Sequence, residues 1–165
     1  MRTAIIYMSK HGTTEKVVNI ISAHLSQQNT DVFNIRNDKT PDISNYDMVI
    51  IGGSIHAGMV QKKIKDFCIN NISILSNKKV GLFLCCMEVG EKATVQFNNA
   101  FPVTLRENAF YTGLMGGECL TEKMNFFERN LVKLVVGGPE KYPRLNDEAI
   151  DELLKQLKEL NPQMN

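Results

Sequence analysis

Apolar residues fall along this chain in short unbroken runs that alternate with longer stretches of helical spacing. Thr3-Ala4-Ile5-Ile6-Tyr7-Met8 is continuous and of strand length, and Val17, Val18, Ile21 and Leu25 then recur on one face of a helix. Asp31 to Arg36 alternates as a half-buried edge strand. Met48 to Gly53 is a third, buried run, after which Val60, Ile64, Phe67 and Cys68 predict a helix face. Val80 to Cys86 gives a fourth strand, followed by a weaker helical stretch that must break at Pro102, and Ala109 to Met115 a fifth. Met124, Phe127, Leu131, Leu134 and Val135 form another apolar stripe. Ile150, Leu153, Leu154 and Leu157 mark a closing helix that Asn146 or Asp147 can cap. Continuous apolar strands separated by amphipathic helices predict a parallel sheet covered on both sides, a three-layer α/β sandwich. Right-handed crossovers then favour a doubly wound sheet of five strands in the order 2-1-3-4-5.

In that topology a ligand sits beyond the carboxyl ends of strands one, three and four, so the residues just after Met8, Gly53 and Cys86 matter most. The first of these loops, Ser9-Lys10-His11-Gly12-Thr13-Thr14-Glu15, leads from a buried strand into a helix. Its hydroxyls can donate to phosphate oxygens, Gly12 permits a tight turn, and a helix N-terminus favours an anion. It has neither the spacing of a Walker loop nor that of a dinucleotide-binding turn. The same residues also suit an ordinary turn in which Thr13 or Thr14 caps the helix.

A chain of 165 residues suits a single domain over 1–165. With 19 Lys and Arg against 18 Asp and Glu, the net charge of +1 gives no basic stripe for nucleic acid. The chain opens on a strand-like run rather than a signal-peptide layout, and its apolar stretches fall short of the roughly 18 residues that span a bilayer. A cytoplasmic location is therefore expected. The cysteines at 68, 85, 86 and 119 form no C-x-x-C pair, so buried free thiols are expected rather than disulfides or a metal site. Cys85-Cys86 as a vicinal redox pair is the alternative.

The second loop region, Tyr46-Asp47-Met48-Val49-Ile50-Ile51-Gly52-Gly53-Ser54-Ile55-His56-Ala57-Gly58, is the most specific segment in the chain. Together with the S-x-x-G-T-T loop it resembles the flavodoxin family. The G-x-S-I-x-x-G form is most similar to the flavodoxin-domain branch that includes the quinone-dependent protoporphyrinogen oxidases. The resemblance implies a flavodoxin-like fold with FMN as cofactor. It implies that Ser9, Lys10, His11, Gly12, Thr13 and Thr14 hold the FMN phosphate. Ser54, Ile55, His56, Ala57 and Gly58 would line one side of the isoalloxazine ring, with Gly58 letting its peptide reorient when flavin N5 gains a proton. Cys86, Met87, Glu88, Val89 and Gly90 would face the pyrimidine edge.

The departures bear on function. Electron-carrier flavodoxins commonly stack aromatic side chains on the ring, yet this chain has no Trp, and its second and third loops offer His56-Ala57 and Met87-Glu88-Val89-Gly90. A ring face left open would admit a flat substrate such as a quinone or porphyrin. His56 is then the candidate catalytic residue, donating to the flavin or the substrate, although it also suits a solvated loop histidine. His24, on the first helix, is expected at the surface. The apolar excess of residues 124–136 suits a deeply buried helix, a dimer contact, or a docking face for a membrane or protein partner. Three functions follow: an FMN-dependent oxidoreductase, an electron carrier between protein partners, and a flavin-free binding module. Carriers are usually strongly acidic, which the near-neutral charge does not match.

Overall fold

Thr3–Tyr7 (β1) is buried at every position, and its side chains alternate between two separate cores. Ala4 and Ile6 point into one; Ile5 and Tyr7 point into the other. That period of two is what a central strand covered on both faces must show. The computed structural model describes residues 1–25, 27–56, 58–118 and 144–162.

β1 pairs in parallel with Thr30–Asn34 (β2) on one side and Met48–His56 (β3) on the other. A two-residue strand, Met59–Val60 (β4), folds back antiparallel on the end of β3. Lys79–Cys85 (β5) pairs with β3, and Tyr111–Leu114 (β6) with β5. The parallel path is β2-β1-β3-β5-β6, which is the predicted doubly wound order once the short β4 is set aside. The sequence places Val60 on a helix; it lies instead in β4, opposite Ile55 in the antiparallel register, and the helix begins only at Lys62. The structure also carries the third strand on to His56, past the Gly53 expected as its end.

Helix Thr13–His24 (α1) and helix Asp147–Leu160 cover the face of Ile5, Ile50 and Phe83 with Val17, Val18, Ile21, Ile150, Leu153 and Leu157. Helices Lys62–Asn70 (α2), Ile72–Leu75 (α3), Gly90–Ala100 (α4) and Val103–Asn108 (α5) cover the other, through Ile64, Phe67, Cys68, Leu75, Phe97 and Leu105. Asp147–Leu160 (α6) starts at Asn146, whose side chain accepts from the Ala149 amide and so acts as its cap. Pro102 separates α4 from α5, as its missing N–H requires. The stripe from Met124 to Val135 lies outside the described residues.

Gly52 has a packing role. It stands opposite Phe83 in the register, and a Cβ there would come within 2.1 Å of the Phe83 ring. Hydrogen there lets the fully buried Phe83 lie across β3 beneath α1.

Burial also fixes thiol chemistry. It pushes Cys68, and Cys85 on the opposite face, up to about 12 from the ordinary 9.0. Between those values the folded chain holds thiol protons that the unfolded chain has lost, so stability must fall as pH rises. We expect the melting temperature to decline steadily above pH 9 in a calorimetric series, with a shallower decline in Cys85→Ala. A melting temperature independent of pH over that window would contradict the assignment.

Candidate functional site

The carboxyl ends of β1, β3 and β5 open into a cavity of about 370 Å³, a size suited to a small-molecule ligand. The loop after β1 forms its floor. Gly12 adopts a left-handed φ of 98°, and its N–H donates to Ser9 Oγ at 3.0 Å. Because Ser9 Oγ accepts there, its own proton is left to donate elsewhere. The helix starts directly after Gly12, and its first internal bond runs from Lys16 N to Gly12 O. The N–H groups of Thr13 and Thr14 therefore have no partner inside the helix, which is the arrangement that attracts an anion. Neither threonine is a cap: the cap position is Gly12, which makes no side-chain bond.

The two threonine hydroxyls differ. Thr13 Oγ1 donates to the Glu118 carbonyl at 3.1 Å. Thr14 is fully buried, and its Oγ1 has no hydrogen-bond partner among the described residues. The group it comes nearest to bonding is the Cys85 sulfur, a weak acceptor, where its donation tempers the larger effect of burial on that thiol. A buried hydroxyl lining a cavity and lacking a partner costs stability unless a ligand supplies one.

Of the residues expected in the site, Ser9, Lys10, His11, Thr13, Thr14, Ser54, Ile55, His56, Cys86 and Met87 line the cavity. Gly12 is buried within the same loop and lies outside the lining. Gly58 stands at an exposed turn with φ 79°, and Glu88, Val89 and Gly90 are exposed residues outside the lining. Ala57 lies outside the described residues. His56 ends β3, is exposed, and its ring centroid lies 5.7 Å from that of His11. His24 is exposed, as expected, and its Nδ1 sits 2.8 Å from the Ile20 carbonyl. Cys86 is buried, its thiol donating to the Glu88 carbonyl at 3.6 Å. Burial first, and the Glu88 charge second, raise its pKa, so it is a neutral lining group rather than a poised thiolate.

Other lining residues come from segments that no motif marks. Arg36, just past β2, donates from Nη1 to the carbonyls of Ser9 and Lys10 at 3.4 and 3.3 Å, which braces the first loop and brings a guanidinium to the cavity. Gln61 joins the ends of β1 and β3. Gly117 and Glu118 follow β6, and a Cβ on Gly117 would come within 3.0 Å of the Cys86 carbonyl. Glu118 pairs with Lys16 at 2.9 Å. The predicted strand order marks only the ends of the first, third and fourth predicted strands, so Arg36 and Gly117, which follow β2 and β6, and Gln61 and Glu118 carried no such signal.

A doubly wound sheet whose strand ends carry a hydroxyl-rich, helix-initiating loop places an anion-compatible crevice in a protein of the open α/β class. Residues 4–146 match the flavodoxin domain family. The chain belongs to that family. It is similar to protoporphyrinogen IX dehydrogenase [quinone] of Escherichia coli K12, with 22% identity over 143 residues, covering 82% of this chain and 79% of that protein. Its fold is similar to that of oxidised flavodoxin 1 from Bacillus cereus (TM-score 0.56, 18% identity, all of both chains covered). A Fusobacterium nucleatum flavodoxin bound to flavin mononucleotide has a TM-score of 0.50 at 14% identity, covering 96% of this chain and 98% of that one. Among the described residues no helix is long and apolar enough to cross a membrane.

Proposed function

We propose that this chain binds FMN in the cavity and acts as an FMN-dependent oxidoreductase on a flat aromatic substrate of the quinone or porphyrin type. The residues present suit the cofactor. Ser9 has a proton to donate, Thr14 a buried hydroxyl lacking a partner, α1 its N-terminal N–H groups, and Arg36 a positive charge, which together meet the needs of a phosphate. Thr13 would join them only by releasing the Glu118 carbonyl. Ile55, His56, Cys86 and Met87 are placed to hold the ring, which when bound supplies the one- and two-electron chemistry.

The observation that carries the substrate class is the make-up of the lining. Among the described residues it holds no Trp, Tyr or Phe; its ring-bearing side chains are the imidazoles of His11 and His56. A ring not covered by an aromatic keeps one face accessible to a second flat molecule. His56, exposed at the mouth, is the side chain placed to donate a hydrogen bond or proton to that molecule. The quinone-linked activity named for the E. coli relative agrees with this reading. Exposed Met59, Met87 and Val89, at 71%, 49% and 83%, favour a second reading, an electron carrier that docks a protein partner near the mouth.

We expect purified protein to be yellow with flavin-like maxima, or to quench the fluorescence of added FMN. Reduced anaerobically, it should be reoxidised stoichiometrically and within the mixing time by a menaquinone analogue. Colourless protein that leaves FMN fluorescence unchanged would remove the cofactor assignment. A two-electron midpoint as low as that of carrier flavodoxins, with sluggish quinone reoxidation, would select the carrier.

A further inference from the structure

Gln61 precedes α2 and reaches back between the ends of two strands. Its Oε1 accepts from the Ser54 backbone N–H at 3.0 Å. Its Nε2 faces the Met8 carbonyl at 3.4 Å and also contacts Ser54 Oγ. The two backbone partners settle which way the amide points. A peptide N–H only donates and a carbonyl only accepts, so oxygen must face Ser54 N and nitrogen must face Met8 O. Ser54 Oγ then meets an NH₂ group and has to accept. Its single proton is directed elsewhere, and both Ser54 and Gln61 line the cavity.

We propose that Gln61 is a positioning residue that fixes Ser54 as a hydrogen-bond donor into the cavity, toward an acceptor atom on the bound flavin. The inference rests on the FMN reading above. It assigns polarity to one side of the site: a ligand atom met by Ser54 is held while it can accept, and loses that bond once it carries a proton of its own. Where that acceptor is a ring nitrogen that gains a proton on reduction, this end of β3 favours the oxidised flavin over the reduced one, through a residue outside the strand.

A double-mutant cycle tests this on the full chain, read by quenching of FMN fluorescence and by the position of the visible flavin band. Ser54→Ala is expected to weaken oxidised FMN about tenfold, the loss typical of one buried hydrogen bond. In Gln61→Glu the carboxylate replaces the amide donor by an acceptor, so the Ser54 proton turns to it and no longer serves the cavity. Ser54→Ala should then cost less than about twofold, and Gln61→Glu alone should shift the flavin band. The cycle cancels the effect of the added charge, which both arms share. Gln61→Leu is the second background, in case Gln61→Glu folds poorly by circular dichroism; there the Ser54→Ala loss should fall below about threefold. An equal tenfold loss in all backgrounds, or no loss in the wild-type background, would overturn the proposal. Wild-type protein that binds no FMN would overturn the cofactor reading and this inference with it.

Discussion

Thr14→Val is expected to stabilise the flavin-free protein while weakening its hold on FMN by about 10- to 150-fold. The opposite signs have one cause. The Thr14 hydroxyl is fully buried, lines the cavity, and has no hydrogen-bond partner among the described residues. An unsatisfied buried hydroxyl costs about 1–3 kcal/mol, which the nearly isosteric Val removes without leaving a void. The melting temperature should therefore rise by about 2–12 °C, given roughly 2–4 °C per kcal/mol for a chain of this size. If the hydroxyl donates to the phosphate, Val also removes a bond to a charged acceptor, worth about 1.5–3 kcal/mol. Riboflavin, which lacks the phosphate, serves as the control, and its affinity should not change. Thermal melts of the apo form and titrations with both flavins check this. A variant that loses FMN and riboflavin affinity equally would place Thr14 away from the phosphate.

The larger stability effect should come from Gly52→Ala. Its new methyl would lie 2.1 Å from Phe83 Cζ, in a core where Phe83 is fully buried and β3 is paired on both sides. Neither strand nor ring has room to withdraw, and overpacking of this kind costs about 1–3 kcal/mol or more. Phe83→Ala alone should cost about 3–5 kcal/mol through the cavity it leaves. The informative variant is the double one. With the ring gone, the Gly52 methyl occupies vacated space, so Gly52→Ala should become neutral or stabilising in the Phe83→Ala background. Urea denaturation of the four proteins measures this, and strictly additive losses would show that the two positions do not share the contact.

The strand order was legible because β1, β3 and β5 are continuous apolar runs, a pattern that only a strand buried on both faces needs. The cap of α6 was legible as Asn146 or Asp147, and the structure gives it to Asn146. β4 was not. Two residues carry no periodicity, and Val60 happens to fall in helical register with Ile64 and Phe67, although its partner is Ile55 across an antiparallel pair. The site divides in the same manner. Ser9 to Thr14 and Ser54 to His56 are contiguous loops, and a contiguous loop can be recognised. Arg36, Gln61 and Glu118 reach the cavity from other segments, through side chains long enough to cross from one strand end to the next. Their contribution is set by distance in space, which spacing along the chain does not record.

Tyr46 and Asp47, part of the same recognisable segment as Ser54, stand at the opposite end of β3 from the cavity. Asp47 accepts from the Arg2 N–H at 2.7 Å, and Tyr46 donates to Asp31 at 2.8 Å under the Arg2 guanidinium. The Lys78 ammonium donates to the Tyr46 carbonyl. These bonds tie the entry of β3 to β1, β2 and the approach to β5, so the strand has no freedom to slide along its axis. An insertion or deletion between Ser54 and Gln61 then cannot be absorbed by a shift of register and must be taken up within the loop. Length variation there would reshape the ligand cavity and the short β3–β4 hairpin while leaving the parallel strands in place, making β3 a rod clamped at one end with an interchangeable tip at the other.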